Sequence, residues 1–188
     1  MFTTVFVGAV LIISSLSTRL FDIEPIISIF LTLLFTIFVV AQDGLFAAII
    51  RRLPNKWFDI NRKGFDASLK ERKFYDFLQI KLWKDYFPEL GGFTDFHKDK
   101  VREVNNLQYL ERFILECNYG SIIHIFTAFS GFIIVALSFN AVTLFLSISV
   151  AIVNLILNFM PAFILRYNVP RLRALHKIAK RKSKTLTK

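Results

Sequence analysis

The chain of 188 residues holds a single cysteine, Cys117, so no internal disulfide can staple it. Histidine is scarce as well. His97, His124 and His176 are the only three, and none is spaced as a metal-ligand pair, which argues against a metal site. The seven glycines form no phosphate-cradling loop, and no serine-nucleophile elbow is present. No cofactor is therefore expected. No basic stretch precedes the first apolar run and no A-x-A-like site follows it, so the N-terminal segment reads as a retained span, not a cleaved signal. Internal repeats are missing, and the only biased segment is the basic tail. Acidic residues are few: 14 Asp and Glu stand against 24 Lys and Arg, for a formal charge of +10.

What is present is apolar. Hydrophobic residues make up 54% of the chain and Phe alone occurs 22 times, more than a soluble domain of this length needs. The composition predicts an all-α integral membrane protein: four transmembrane helices with a cytoplasmic or interfacial helical insertion between the second and third. The spans fall at about 2–20, 25–50, 120–137 and 141–165, the insertion at 51–119, and the basic C-terminal tail at 166–188, all in one membrane domain. Positive charge beside apolar spans marks topology and contact with membrane lipids, anionic ones above all, and not nucleic acid. Residues 51–118 hold 14 Lys or Arg and residues 166–188 hold 9, which leaves only Arg19 for the two opposite-side connections. By the positive-inside rule both termini and the insertion face the cytoplasm of a multi-pass plasma-membrane protein.

The insertion carries too many aromatics to be disordered. Ser68-Leu69-Lys70-Glu71 has the form of a capping box. Phe74, Leu78, Leu82 and Tyr86 then recur every four residues, with Lys70, Arg72, Lys73, Lys81 and Lys84 interleaved. This predicts an amphipathic helix over Phe74–Phe87, either in the membrane interface or packed on the cytoplasmic ends of the spans. Pro88 and Gly91-Gly92 end it. A second helix is expected from Thr94 or Asp95, running through Leu107, Leu110, Phe113 and Ile114 into the third span.

Polar groups inside spans are expensive and by default suggest function. At ~1.5 Å of rise per residue, Asp43, His124 and Asn158 lie roughly 6–12 Å inside the cytoplasmic ends of three different spans, a similar depth that suggests one polar cavity. Glu116, Gly120 and His124 share a helix face, which Thr127 and Gly131 continue. Asn154 and Asn158 are one turn apart, and Pro161 frees the carbonyl of Leu157 beside them.

The order Lys81-Leu82-Trp83-Lys84-Asp85, Pro88, Glu116 with His124 eight residues on, Asn158-x-x-Pro161 and Arg166-Tyr167-Asn168-x-Pro170-Arg171-Leu172 resembles the bacterial glycosyl-diaponeurosporenoate acyltransferases. The resemblance covers roughly Pro54 to Arg181. It implies a small membrane enzyme of staphyloxanthin-type carotenoid synthesis, one that esterifies a sugar hydroxyl with a fatty acyl chain. Where that family has Arg and a second acid before the histidine, this chain has Tyr119 and Ser121; Leu165 and Val169 stand where it has Gln and Arg.

Acyl transfer needs a base, an oxyanion donor and a grip on an anionic donor molecule. The catalytic candidates are His124 as base, Glu116 to orient it, and Asn158 as oxyanion donor. Arg166, Tyr167, Asn168, Arg171, Trp83, Lys84 and Asp43 are candidates for holding substrate or donor. The expected partners are an acyl donor (acyl-CoA, acyl carrier protein or phospholipid) and an amphiphilic acceptor with a free hydroxyl. The alternative is a non-catalytic small membrane protein that binds lipid headgroups or a partner subunit.

The topology is tested by cysteine labelling in intact cells. Cysteines placed at Ser138 or Asn140 should react with an impermeant reagent while one at Ser183 is protected. Labelling at Ser183 would overturn the orientation.

Overall fold

A computed structural model of the chain describes residues 2–86, 101 and 103–186. The expectations for Phe87, Pro88, Gly91-Gly92, the helix start at Thr94 or Asp95, and His97 lie outside these residues. The described residues form helices α1 (Phe2–Phe21), α2 (Pro25–Arg51), α3 (Leu69–Phe77), α4 (Ile80–Trp83), α5 (Leu107–Ser130) and α6 (Ala141–Leu186). No strand occurs among them. Four of the helical stretches are long and apolar enough to cross a membrane: Thr4–Phe21, Pro25–Arg51, Leu107–Leu137 and Ala141–Thr185. The all-α membrane architecture read from composition is the one observed.

The chain divides into two units, Met1–Ile50 with Ile123–Phe159, and Arg51–Ile122 with Met160–Lys188. In the first unit the core is Ile13, Phe35, Val39, Ile134, Leu146, Val150 and Ala151. Small hydroxyls tie α1 to α2: Ser14 donates to Thr32 Oγ1 at 3.1 Å and Ser28 donates to the Ser14 carbonyl at 3.0 Å. Such groups let helix backbones approach closely where lipid supplies no hydrophobic drive. After Ser130 the helix tightens to 3₁₀ geometry over Gly131–Leu137. Asn140 then caps α6, its Oδ1 accepting the Thr143 amide at 2.8 Å.

In the second unit α5 begins at Leu107 and carries Leu110, Phe113 and Ile114 as expected, but residues 101 and 103–106 are not helical, so the helix does not run unbroken from Thr94 or Asp95. Phe113, Ile114 and Cys117 pack on Val169 and Leu172, and this contact explains why α6 does not end with its apolar run. The helix continues through Pro161 and Pro170 to Leu186. Val169, Leu172, His176 and Ala179 are buried at helical spacing, so a packed stripe holds the basic segment helical beyond its lipid-like part. The single Cys117 is a buried core residue.

The insertion corrects one expectation. The helix read over Phe74–Phe87 is interrupted: α3 stops at Phe77 and α4 starts at Ile80, with Gln79 left-handed at φ 50. The unbroken four-residue repeat would leave Ile80 off the packed face. The break turns it inward to 0% exposure, beside Tyr75 and Ile164. Trp83 Nε1 donates to the Leu78 carbonyl at 2.9 Å and so satisfies an acceptor at the interruption. The capping box is present as read, with Glu71 N donating to Ser68 Oγ at 3.1 Å and Ser68 N to Glu71 Oε2 at 3.3 Å.

A left-handed conformation costs an L-residue about 1–2 kcal/mol. Gln79→Gly should therefore raise the thermal midpoint in detergent, and Gln79→Val should lower it. A stabilising valine would refute the interruption.

Candidate functional site

The first unit gathers a hydrogen-bonded chain from three helices. Asp43 of α2, His124 and Thr127 of α5, and Asn154 and Asn158 of α6 meet there. His124 Nδ1 lies 2.9 Å from Asn158 Oδ1, and Asn158 Nδ2 donates to Asp43 Oδ2 at 3.0 Å. Asn158 Nδ2 also reaches the Asn154 carbonyl at 3.2 Å and Asn154 Oδ1 at 2.9 Å. Thr127 Oγ1 donates to Asn158 Oδ1 at 2.9 Å, and Asn154 Nδ2 donates to the Thr127 carbonyl at 3.1 Å. The three residues read from sequence as sharing a depth are thus brought together.

The chain has a direction. A backbone carbonyl only accepts, so the bond to the Asn154 carbonyl requires the nitrogen of the Asn158 amide to face Asn154 and Asp43. Its oxygen then faces His124, and the bond between them requires the proton on Nδ1. The imidazole is held as the tautomer whose Nε2 is a free base. No described residue hydrogen-bonds Nε2. Asn158, with its amide protons directed at Asp43 and Asn154, fits orientation of the histidine better than the oxyanion role expected for it. Gly131 is part of the support: a Cβ added there would lie 2.5 Å from Asn154 Nδ2.

Glu116, expected to orient His124, has other partners. Its oxygens pair with Arg51 Nη1 at 2.9 Å and Arg112 Nη2 at 2.7 Å in the second unit. Asp43, read as a substrate contact, is the carboxyl end of the histidine's chain, with Oδ1 buried and unpartnered.

Among the residues expected to hold the donor, Arg166 is already clamped. Its Nε and Nη2 bond both oxygens of Glu71, the second at 3.0 Å, and Tyr75 donates its hydroxyl to the same carboxylate. Burial raises the Glu71 carboxyl, but the bonds from Arg166 and then Tyr75 outweigh it and hold the acid below its ordinary 4.5. Burial and that carboxylate push the Tyr75 phenol upward. Tyr167 packs edge-on to Tyr75 with ring centroids 6.3 Å apart. Trp83 joins the same apolar cluster, Lys84 pairs with Asp85 at 3.0 Å, Asn168 is half-buried and Arg171 is exposed. The Arg-Tyr-Asn string therefore anchors the insertion to α6 through its first two residues. Sequence reading missed Glu71 and Tyr75 as its partners. The capping box located Glu71, but a pairing 95 residues apart leaves no local pattern.

The positions that differ from the resembled pattern do structural work in the second unit. Tyr119 donates to the Leu53 carbonyl at 2.6 Å and stacks on Phe58 at 4.0 Å. Ser121 donates to the Asn118 carbonyl at 2.9 Å. Val169 is buried, and Leu165 fills the space left by Gly120, where an added Cβ would lie 2.7 Å from its Cδ1.

Four long apolar helices and a half-buried polar chain ending in a histidine define a helical membrane protein. The family model for glycosyl-4,4'-diaponeurosporenoate acyltransferase matches residues 54–178, well over half of the chain, and the chain belongs to that family. It is an acyltransferase, and the family's name ties it to carotenoid synthesis. Neither the curated proteins nor the solved structures hold a match to it.

The Glu71 clamp predicts a pH-dependent stability. An acid whose folded value lies below its unfolded one stabilises fully above the unfolded value, and this is lost as pH falls through the folded value. The thermal midpoint of the native protein should exceed that of Glu71→Gln near neutral pH, and the gap should close as pH drops below 4.5. A gap that persists in acid would contradict the clamp.

Proposed function

We propose that the protein moves a fatty acyl group onto a hydroxyl of a lipid-linked or glycolipid acceptor at the cytoplasmic face of the plasma membrane. The acceptor in the family's name, a glycosylated diaponeurosporenoate, is of this kind. The Asp43–Asn158–His124 chain carries the reading. In it His124 Nε2 takes the proton from the acceptor hydroxyl as its oxygen attacks the acyl carbonyl. The tetrahedral intermediate collapses, the bond to the donor's leaving group breaks, and Nε2 returns the proton to that group. The imidazolium formed in between keeps its Nδ1–H on Asn158 Oδ1, with the Asp43 carboxylate behind the amide. This is the logic of a triad with an amide inserted between base and acid. The apolar spans accommodate the acyl chain. The Lys and Arg distribution supports the cytoplasmic side, with both termini there.

Kinetics of purified protein with a fatty acyl donor and a glycosylated carotenoid test the roles. His124→Ala should lower kcat by about 10²–10⁴-fold and remain folded. Asn158→Leu should lower kcat by roughly 10–100-fold with little change in KM, since it acts through the orientation of another residue. Near-normal turnover in the His124 variant would refute the mechanism.

A further inference from the structure

The second unit contains a cavity of about 830 Å³ that none of the roles above uses. Three pieces of chain build it: the loop around the 3₁₀ turn Asn55–Trp57, the first half of α5, and the basic end of α6. Lys56, Arg112, Lys177 and Lys180 bring four cations to its wall. Lys56, Lys177 and Lys180 form no ion pair among the described residues. The two acids that reach the cavity are both engaged. Glu111 Oε1 lies 2.9 Å from His176 Nε2, and Asp59 Oδ1 accepts the Asn61 amide at 2.9 Å. Ile60 and Leu115 add an apolar surface, and Gln108 a neutral amide. The volume is that of a small-molecule or cofactor pocket.

A concave site with more cations than acids concentrates anions, and clustered Lys and Arg are the usual grip on phosphate groups. Four cations against two acids leave the lining with an excess of positive charge, which favours an anionic occupant. An acidic peptide would not need a concave site with an amide and an apolar side. A phosphate group on an organic body uses all of these features.

We infer that this cavity binds the phosphate-bearing part of the acyl donor, with Lys56, Lys177 and Lys180 on the phosphates. The inference rests on the acyl-transfer reading for the identity of the occupant as a donor, but the binding itself does not depend on His124. Two sources share the chemistry: a coenzyme A thioester from the cytoplasm and an anionic phospholipid from the bilayer. The site replaces the grip expected of Arg166, which Glu71 occupies.

The test uses the full chain in phosphatidylcholine nanodiscs. Calorimetry with coenzyme A alone should show binding that inorganic pyrophosphate displaces, weakens with added salt, and falls about tenfold or more in the triple variant Lys56→Gln, Lys177→Gln, Lys180→Gln. In a second arm, native mass spectrometry of protein from phosphatidylglycerol nanodiscs counts retained lipid in both proteins. Coenzyme A binding identifies the soluble source. Retention of phosphatidylglycerol by the native chain alone, without coenzyme A binding, identifies the lipid source. The side chains replaced are exposed, and an unchanged thermal midpoint verifies the fold of the variant. His124→Ala should bind as the native protein does, so a failure of the catalytic reading leaves this result standing. The inference is overturned if the native chain holds neither probe, or if the triple variant matches it in both arms.

Discussion

Inside an apolar span a polar side chain has no water to turn to, and each unmet hydrogen bond costs several kcal/mol. Asn158 meets that constraint by bonding in every direction available to it: Asp43 and Asn154 on its nitrogen, His124 and Thr127 on its oxygen. Satisfying one amide in this way draws α2, α5 and α6 together at a point and leaves no freedom in how the amide faces. The orientation of the histidine is a by-product of that satisfaction. In the proposed mechanism, a structural requirement of the bilayer and a chemical requirement of base catalysis are met by the same bonds.

The second unit solves a different problem. Its helices present basic and aromatic residues that do not suit the membrane core, so they are held by specific pairings. Glu71 accepts bonds from Arg166, Tyr75 and its own cap residue, which joins a short helix of the insertion to α6. Glu116 receives Arg51 and Arg112, and Arg173 reaches Asp66 at 2.9 Å. Lys56, Lys177 and Lys180, which line the cavity, take no part in these pairings.

Much of the architecture was legible because a bilayer simplifies the code. Long apolar runs announce helices, and the shortage of Lys and Arg outside residues 51–118 and 166–188 announces their order. Asp43, His124 and Asn158 could be grouped because depth along a span is countable from its end. Their partners were legible only in part. Glu116 shares a helix face with His124 in sequence, yet two arginines engage it, one from 65 residues away. The interruption at Gln79 escaped the four-residue repeat because the burial of Ile80 depends on Ile164, which is distant in sequence. The cavity lysines escaped for the same reason: Lys56 and Lys177 look like ordinary solvated charges until the chain folds.

The central claim is that Asn158 holds His124 with its proton on Nδ1 and Nε2 bare. With only three histidines in the chain, ¹⁵N NMR of histidine-labelled protein in nanodiscs can observe this directly, with the His124→Ala spectrum making the assignment. At neutral pH the His124 signals should show a protonated Nδ1 and an unprotonated Nε2, a pattern that Asn158→Leu abolishes. A proton found on Nε2, or a tautomer unaffected by the loss of Asn158, would contradict the account.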